Sequence, residues 1–230
     1  MNDHKNMILP LHVGLITDGN RRWAKEHGLP SLEGHRQGFL AVKKVIEAAY
    51  GLGIKNFTAW AFSTENWDRS KEEIDYLMKL YEKWLSDLLK DNRDKNIKIR
   101  IIGQKWRVPK FLQEKIAKAE EKTASNSDMV FNMALSYGGR DEIVQAIKKI
   151  QEQGIATDNI TEQTISDNIW TPDVDLIIRT GGEMRLSGYL MWQAQYAELI
   201  FVKKYLPDFA PADFEACLTE FANRQRRFGK

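Results

Sequence analysis

The stretch Leu11-His12-Val13-Gly14-Leu15-Ile16-Thr17-Asp18-Gly19-Asn20-Arg21-Arg22-Trp23 decides how the chain is read. It opens as a mostly apolar run, 11–17, of strand length. It breaks at Asp18-Gly19-Asn20, a turn signal, and continues as the start of a helix. The same unit recurs along the chain. Segments 56–62, 97–102, 129–135, 175–178 and 199–202 read as buried strands. Segments 34–50, 71–89, 108–123, 141–151, a short piece from Thr161, 190–197 and 212–226 read as helices. The helical stripe is plainest in Ile74, Leu77, Met78, Tyr81, Leu85, Leu88 and Leu89. Strands alternating with helices predict an α/β fold, a mainly parallel sheet with helices on its faces. Ligands of such sheets bind beyond the carboxyl ends of the strands, so the residues just after each strand carry the functional reading.

The 230 residues suffice for one good-sized domain, expected over 11–230 after a short N-terminal extension, 1–10. Hydrophobic residues at 43% and charged residues at 29% suit a soluble globular protein. Lys+Arg 34 against Asp+Glu 32 leaves a net charge of +2, too balanced for binding nucleic acid through bulk charge. Cys217 is the one cysteine, which excludes an internal disulfide and a cysteine-based zinc site. His4, His12, His27 and His35 never fall at the i, i+4 spacing of a helical metal pair. No apolar run reaches the roughly 20 residues of a membrane span, and the N-terminus lacks a signal-peptide layout. A cytoplasmic location is expected. The phosphate loop, the dinucleotide fingerprint and the serine-hydrolase elbow are all absent.

After the first strand, Asp18 offers a hard oxygen ligand to a divalent cation, and Arg21 or Arg22 with the helix-start N–H groups suit a phosphate. The bland alternative is a helix-entry turn with solvated arginines. After the second come Ser63, Thr64, Glu65, Asn66, Trp67, Asp68 and Arg69. Ser63 and Asn66 can hydrogen-bond a reacting group and Arg69 can bind an anion, while Ser70 and Glu73 have capping-box spacing. After the fifth, Arg179 and Arg185 flank Gly181-Gly182, with Ser187 beyond. These guanidinium forks and the hydroxyl suit a diphosphate clamp, with the glycine pair bringing backbone close to the ligand. Glu198, if paired in space with Asp18, completes a Mg²⁺ site. Trp60, Trp84 and Trp106 read as packing residues.

These segments, with Gly34-His35, Tyr137-Gly138-Gly139-Arg140 and Tyr196-Ala197-Glu198-Leu199, resemble the cis-prenyltransferases, in order over nearly the whole chain. The resemblance implies a homodimeric α/β sheet enzyme with an apolar tunnel. It condenses isopentenyl diphosphate with an allylic diphosphate, farnesyl diphosphate being the expected primer, to a Z-polyprenyl diphosphate. It implies that Asp18 is the Mg²⁺ and catalytic carboxylate, helped by Glu198. It further implies that Arg22 and His35, with the backbone N–H groups near Asn20, hold the allylic diphosphate, and that Gly19, Arg21 and Trp23 are also substrate-binding. Arg179, Arg185 and Ser187 hold isopentenyl diphosphate. Ser63, Glu65, Asn66, Trp67 and Arg69 border the reacting carbons, Asn66 as a second catalytic group. Arg227-Phe228-Gly229 reaches the neighbouring subunit, and product release touches a membrane surface peripherally.

The expected tunnel wall is the 74–89 and 34–50 helices with the 56–62 strand. The resemblance associates a small residue at Ala61, near the tunnel mouth, with a long product such as an undecaprenyl chain, while Trp60, Met78 or Trp106 would shorten it. A short- or medium-chain synthase is the alternative. Arg21, Ser31 and Gly188 depart from the family pattern, where glycine, arginine and asparagine are usual. They leave open a catalytically impaired dimer partner, and raise the question whether Arg21 replaces an arginine at Ser31.

Overall fold

The computed structural model describes residues 7–92 and 95–224. Strands β1 (His12–Ile16), β2 (Asn56–Ser63), β3 (Ile97–Ile102), β4 (Met129–Tyr137), β5 (Leu176–Arg179) and β6 (Glu198–Phe201) form one sheet. Its order is β3-β4-β2-β1-β5-β6, and every pairing is parallel. The helices are α1 (Asn20–Glu26), α2 (Ser31–Gly51), α3 (Lys71–Asp91), α4 (Lys110–Lys122), α5 (Gly139–Glu152), α6 (Glu162–Ser166) and α7 (Pro211–Asn223). The α/β architecture predicted by the strand–helix alternation is the one observed.

Alternation along the strands divides the core. Val13, Leu15, Phe57, Ala59, Phe131 and Met133 face the layer of α2, α3, α4 and α7. Ile16, Trp60, Ala134 and Tyr137 face the other side, against Tyr189, Leu190 and Trp170. The end of the expected extension, Met7 and Leu9, packs on the first of these cores.

Helix boundaries follow local chemistry. Ser70 caps α3, accepting from Glu73 N at 3.3 Å, and Thr161 caps α6, accepting from Thr164 N at 3.2 Å. Each satisfies one of the donors that a helix start leaves without an intrahelical partner. The expected helix over 190–197 is corrected: these residues form turns up to the start of β6. Ser187, Gly188 and Leu190 carry φ of 52°, 86° and 45°, a left-handed run that cannot propagate a right-handed helix. Leu190 and Tyr189 are buried without being helical. Trp106 is a second correction, being 59% exposed and so no packing residue. The terminal helix ends at Asn223, and Arg227-Phe228-Gly229 lies outside the described residues.

Candidate active site

The centre of the sheet's carboxyl end is built by β1 and β5. Ile16 pairs with Arg179, so Asp18 emerges beside Arg179 and Thr180. The Thr180 hydroxyl accepts from Asp18 N at 3.0 Å and donates to Asp18 O at 2.8 Å, fixing the turn. Gly19, at φ 102°, starts α1. A Cβ there would lie 2.5 Å from Tyr205 Cδ1, so only glycine fits both the conformation and the space. Gly34 lets α2 cross directly over the start of α1: a Cβ on it would lie 2.1 Å from Asn20 O.

The Asp18 carboxylate is bracketed. Arg22 Nη2 donates to Oδ1 at 3.1 Å and Arg179 Nη2 to Oδ2 at 2.9 Å. Arg22 also reaches Glu183 at 3.4 Å, and Glu183 accepts from Arg185. Arg179 is 5% exposed, donates from Nη1 to Ser187 Oγ at 3.0 Å and to Arg185 O, and its buried Nε has no partner. A dianionic group entering this net can take over guanidinium donors now spent on Asp18 and Glu183.

Beside Asp18 opens a crevice of about 760 Å³, lined by Gly19, Asn20, Arg21, Arg22, Ser31, His35 and Arg69, and by Lys25, which the sequence reading missed. Lys25 stands one turn after Arg21, a spacing that could have found it. Arg21 and Ser31 line the same wall. His35 Nε2 donates to Glu73 Oε1 at 3.1 Å, and Arg69 Nη1 donates to the same oxygen at 3.0 Å. Burial, and next the Arg69 charge, push His35 below its usual pKa, so it is a neutral donor at pH 7. Glu73, read in sequence only as a capping residue, positions both.

Several expected residues are elsewhere. Ser63, Glu65, Asn66 and Trp67 form a 3₁₀ turn off β2 and do not line the crevice. Asn66 Oδ1 accepts from Ser63 N at 3.0 Å, and Trp67 Nε1 donates to Ser136 Oγ at 2.8 Å. Trp23 Nε1 donates to Asp208 Oδ1 at 2.8 Å, tying α1 to the segment before α7. Gly181 and Gly182 spend their N–H groups on Lys204 O at 2.7 Å and Val202 O at 2.9 Å. Gly181 makes room for Arg22, and neither glycine leaves an N–H for a ligand. Gly188, at φ 86°, sits where asparagine is also tolerated, so this departure preserves the loop.

The pairing of Asp18 with Glu198 within one chain is corrected. Glu198 opens β6, level with Leu176, while Phe201 is level with Arg179. Three residues of strand, about 10 Å, set it back from the carboxyl edge. There it accepts from Arg224 Nη1 at 2.8 Å. Among the described residues no group of three or more His, Cys, Asp and Glu side chains could hold a metal. Asp18 beside the guanidinium net does fit Mg²⁺, which takes one or two carboxylates and completes its shell with water and substrate phosphate oxygens.

Next to the crevice, and sharing Thr17, Asn20 and His35 with it, lies an apolar cavity. Phe39 and Val42 of α2, Ala59 and Ala61 of β2, Tyr81 and Trp84 of α3 and Met133 of β4 line it. Trp60 points to the opposite face of the sheet and cannot reach it, a further correction. A larger hollow, about 870 Å³, lies at the amino ends of β3 and β4 among Lys115, Lys118 and Lys122. Its acid is Asp128 alone, and it lacks the arginines and the strand carboxyl ends on which the chemistry depends.

The sequence model of one family, described as "Putative undecaprenyl diphosphate synthase", matches residues 16–229. The chain is 42% identical to an isoprenyl transferase of Bacillus cereus, over 98% of this chain and 90% of that one. It is 44% identical to a farnesyl-diphosphate-specific ditrans,polycis-undecaprenyl-diphosphate synthase of Vibrio vulnificus, over 96% and 91%. Among solved structures, lavandulyl diphosphate synthase from Lavandula x intermedia, in complex with dimethylallyl diphosphate, superposes with a TM-score of 0.93 at 41% identity, covering 96% and 99%. A "probable undecaprenyl diphosphate synthase" from Campylobacter jejuni gives 0.84 at 35%, covering 97% and 100%.

Proposed function

The chain belongs to the undecaprenyl diphosphate synthase family, and from that membership we propose that it condenses isopentenyl diphosphate with an allylic diphosphate to a Z-prenyl diphosphate in the crevice at Asp18. The observation that carries this reading is adjacency. A carboxylate held between Arg22 and Arg179 stands beside a cationic crevice whose inner wall opens into an apolar cavity.

The allylic diphosphate lies along the start of α1, with Arg21 and Arg22 donating to it, Arg21 standing in for the arginine absent at Ser31, and His35 lining the crevice beside it while its one N–H is held by Glu73. Its hydrocarbon tail enters the apolar cavity. Isopentenyl diphosphate lies on Arg185 and Ser187, which Arg179 holds in place. The primer's C1–O bond breaks and its diphosphate leaves. A C–C bond forms from primer C1 to C4 of isopentenyl diphosphate, and loss of a proton from its C2 to the released diphosphate leaves the new C2–C3 double bond. The arginines stabilise the charge that develops on the leaving diphosphate. Asp18 would hold Mg²⁺, which would offset that same charge.

We assign the active form as a homodimer. Exposed Val144 and Ile147 along α5, with Met191 beside its start, supply an apolar contact face, and only a second copy can carry Glu198 to Asp18. Among the described residues no helix is long and apolar enough to cross a membrane.

The test is extension of dimethylallyl, geranyl and farnesyl diphosphate by labelled isopentenyl diphosphate in Mg²⁺. Incorporation is expected from at least one primer, and none from any of them rejects the reading.

A further inference from the structure

The apolar cavity has an end as well as a mouth. It is lined by the slender Ala59, Ala61 and Val42 and by the rings of Phe39, Tyr81 and Trp84; α3 starts at the crevice, where Glu73 meets His35, so Tyr81 and then Trp84 stand progressively further from it. The Phe39 ring centroid stands 5.2 Å from Tyr81 and 5.3 Å from Trp84. Trp84 is backed edge-on by Phe131 at 5.5 Å. What remains is about 30 Å³. An apolar cavity that takes a benzene-sized group measures about 150 Å³, and a five-carbon isoprenyl unit is of that size. The cavity therefore admits a tail only as rings yield.

The frame resists widening. The bulge in β2 between Trp60 and Phe62 leaves Ala61 off the ladder, and the Tyr81 hydroxyl donates to the freed Ala61 carbonyl at 2.7 Å. This bond ties α3 to β2 across the cavity. Drawing α3 away would strand a buried carbonyl and a buried hydroxyl. Of the three closing rings Phe39 is the least enclosed, being half-buried where Tyr81 and Trp84 are buried. The Trp84 indole is 6% exposed and its Nε1 has no hydrogen-bond partner, so packing, including that against the Phe39 and Phe131 rings, holds it.

We propose that Trp84, seated on Phe131, is the chain-length stop, and that this protein makes a short product, at most about three five-carbon units in all. The proposal rests on the prenyl-transfer reading and revises the expectation of a long product. Small Ala61 widens the cavity near its mouth, but the far end is shut by a residue from a different element. Met78 belongs to the same core without lining the cavity, and Trp60 lies across the sheet.

The experiment is mass spectrometry of products from the full chain, Mg²⁺ and isopentenyl diphosphate with each of the three primers. The wild type is expected to stop at three units or fewer and to use farnesyl diphosphate poorly. Trp84→Ala is expected to lengthen the main product by one or more units, Trp84→Leu to lengthen it less, and Trp60→Phe to leave it unchanged. The leucine variant keeps the test intact if alanine destabilises the core. Wild-type products of four or more units overturn the proposal, as do active alanine and leucine variants with wild-type lengths. Absence of turnover from every primer overturns the prenyl-transfer reading instead, so the two failures are distinct.

Discussion

Asp18→Asn tests the site through its charge. The substitution keeps the size of the side chain and removes one negative charge from between Arg22 at 3.1 Å and Arg179 at 2.9 Å. Without metal, the carboxylate both occupies those guanidiniums and repels an incoming diphosphate. Unit charges about 4 Å apart interact by about 4 kcal/mol at an effective dielectric constant of about 20. The Asp18 side chain is 29% exposed and the crevice is open to solvent, so screening reduces the penalty. It becomes about 1–2 kcal/mol. In EDTA the variant is therefore expected to bind inorganic diphosphate roughly 5- to 30-fold more tightly than the wild type. Magnesium reverses the order: the wild type gains affinity, the variant gains little, and its turnover falls by about a hundredfold or more. Isothermal titration with and without Mg²⁺, beside circular dichroism to confirm folding, reads all of this. A variant that binds diphosphate no more tightly in EDTA, or that keeps the wild-type response to Mg²⁺, refutes Asp18 as the metal carboxylate.

Gly19→Ala places a Cβ 2.5 Å from Tyr205 Cδ1 at a φ of 102°. A cost of about 1–3 kcal/mol is expected, visible as a lower urea midpoint together with weaker diphosphate binding; an unchanged midpoint contradicts the packing described. Acid should also destabilise the fold. His12 is buried, with Nε2 accepting from Thr58 at 2.7 Å and Nδ1 donating to Asp173 O at 3.0 Å. Burial holds it below its ordinary value, as it does His35. The unfolded chain then takes up protons first, so this stability is whole above about pH 6.5 and is lost as pH falls below it. Tm measured between pH 5.5 and 8 should drop on the acid side, less steeply for His12→Gln. A Tm that rises on acidification, or an equal slope in the variant, contradicts the buried neutral histidine.

The order of strands and helices was legible in the chain because apolar periodicity records which side of each segment is buried. Asp18, Arg22 and Arg179 were legible too, since a parallel sheet sends the residues after its strands to one edge, whereas His35, inside α2, was singled out only by the family resemblance. Distances between strands carry no such local signal. Glu198 looked close to Asp18 until the β5–β6 register put it at the other end of its strand. Residues 190–197 held helical spacing, yet the left-handed Ser187, Gly188 and Leu190 turned the chain back to bury Tyr189 and Leu190 by tertiary contact. Trp60 and Ala61 are neighbours in sequence, but pleating sends the first across the sheet while the bulge gives the second a carbonyl for Tyr81. Local chemistry determined the elements and the charged turns. Only packing decided where the apolar cavity ends, because Phe39, Tyr81, Trp84 and Phe131 come from different elements and meet only when the sheet and its helices close on one another.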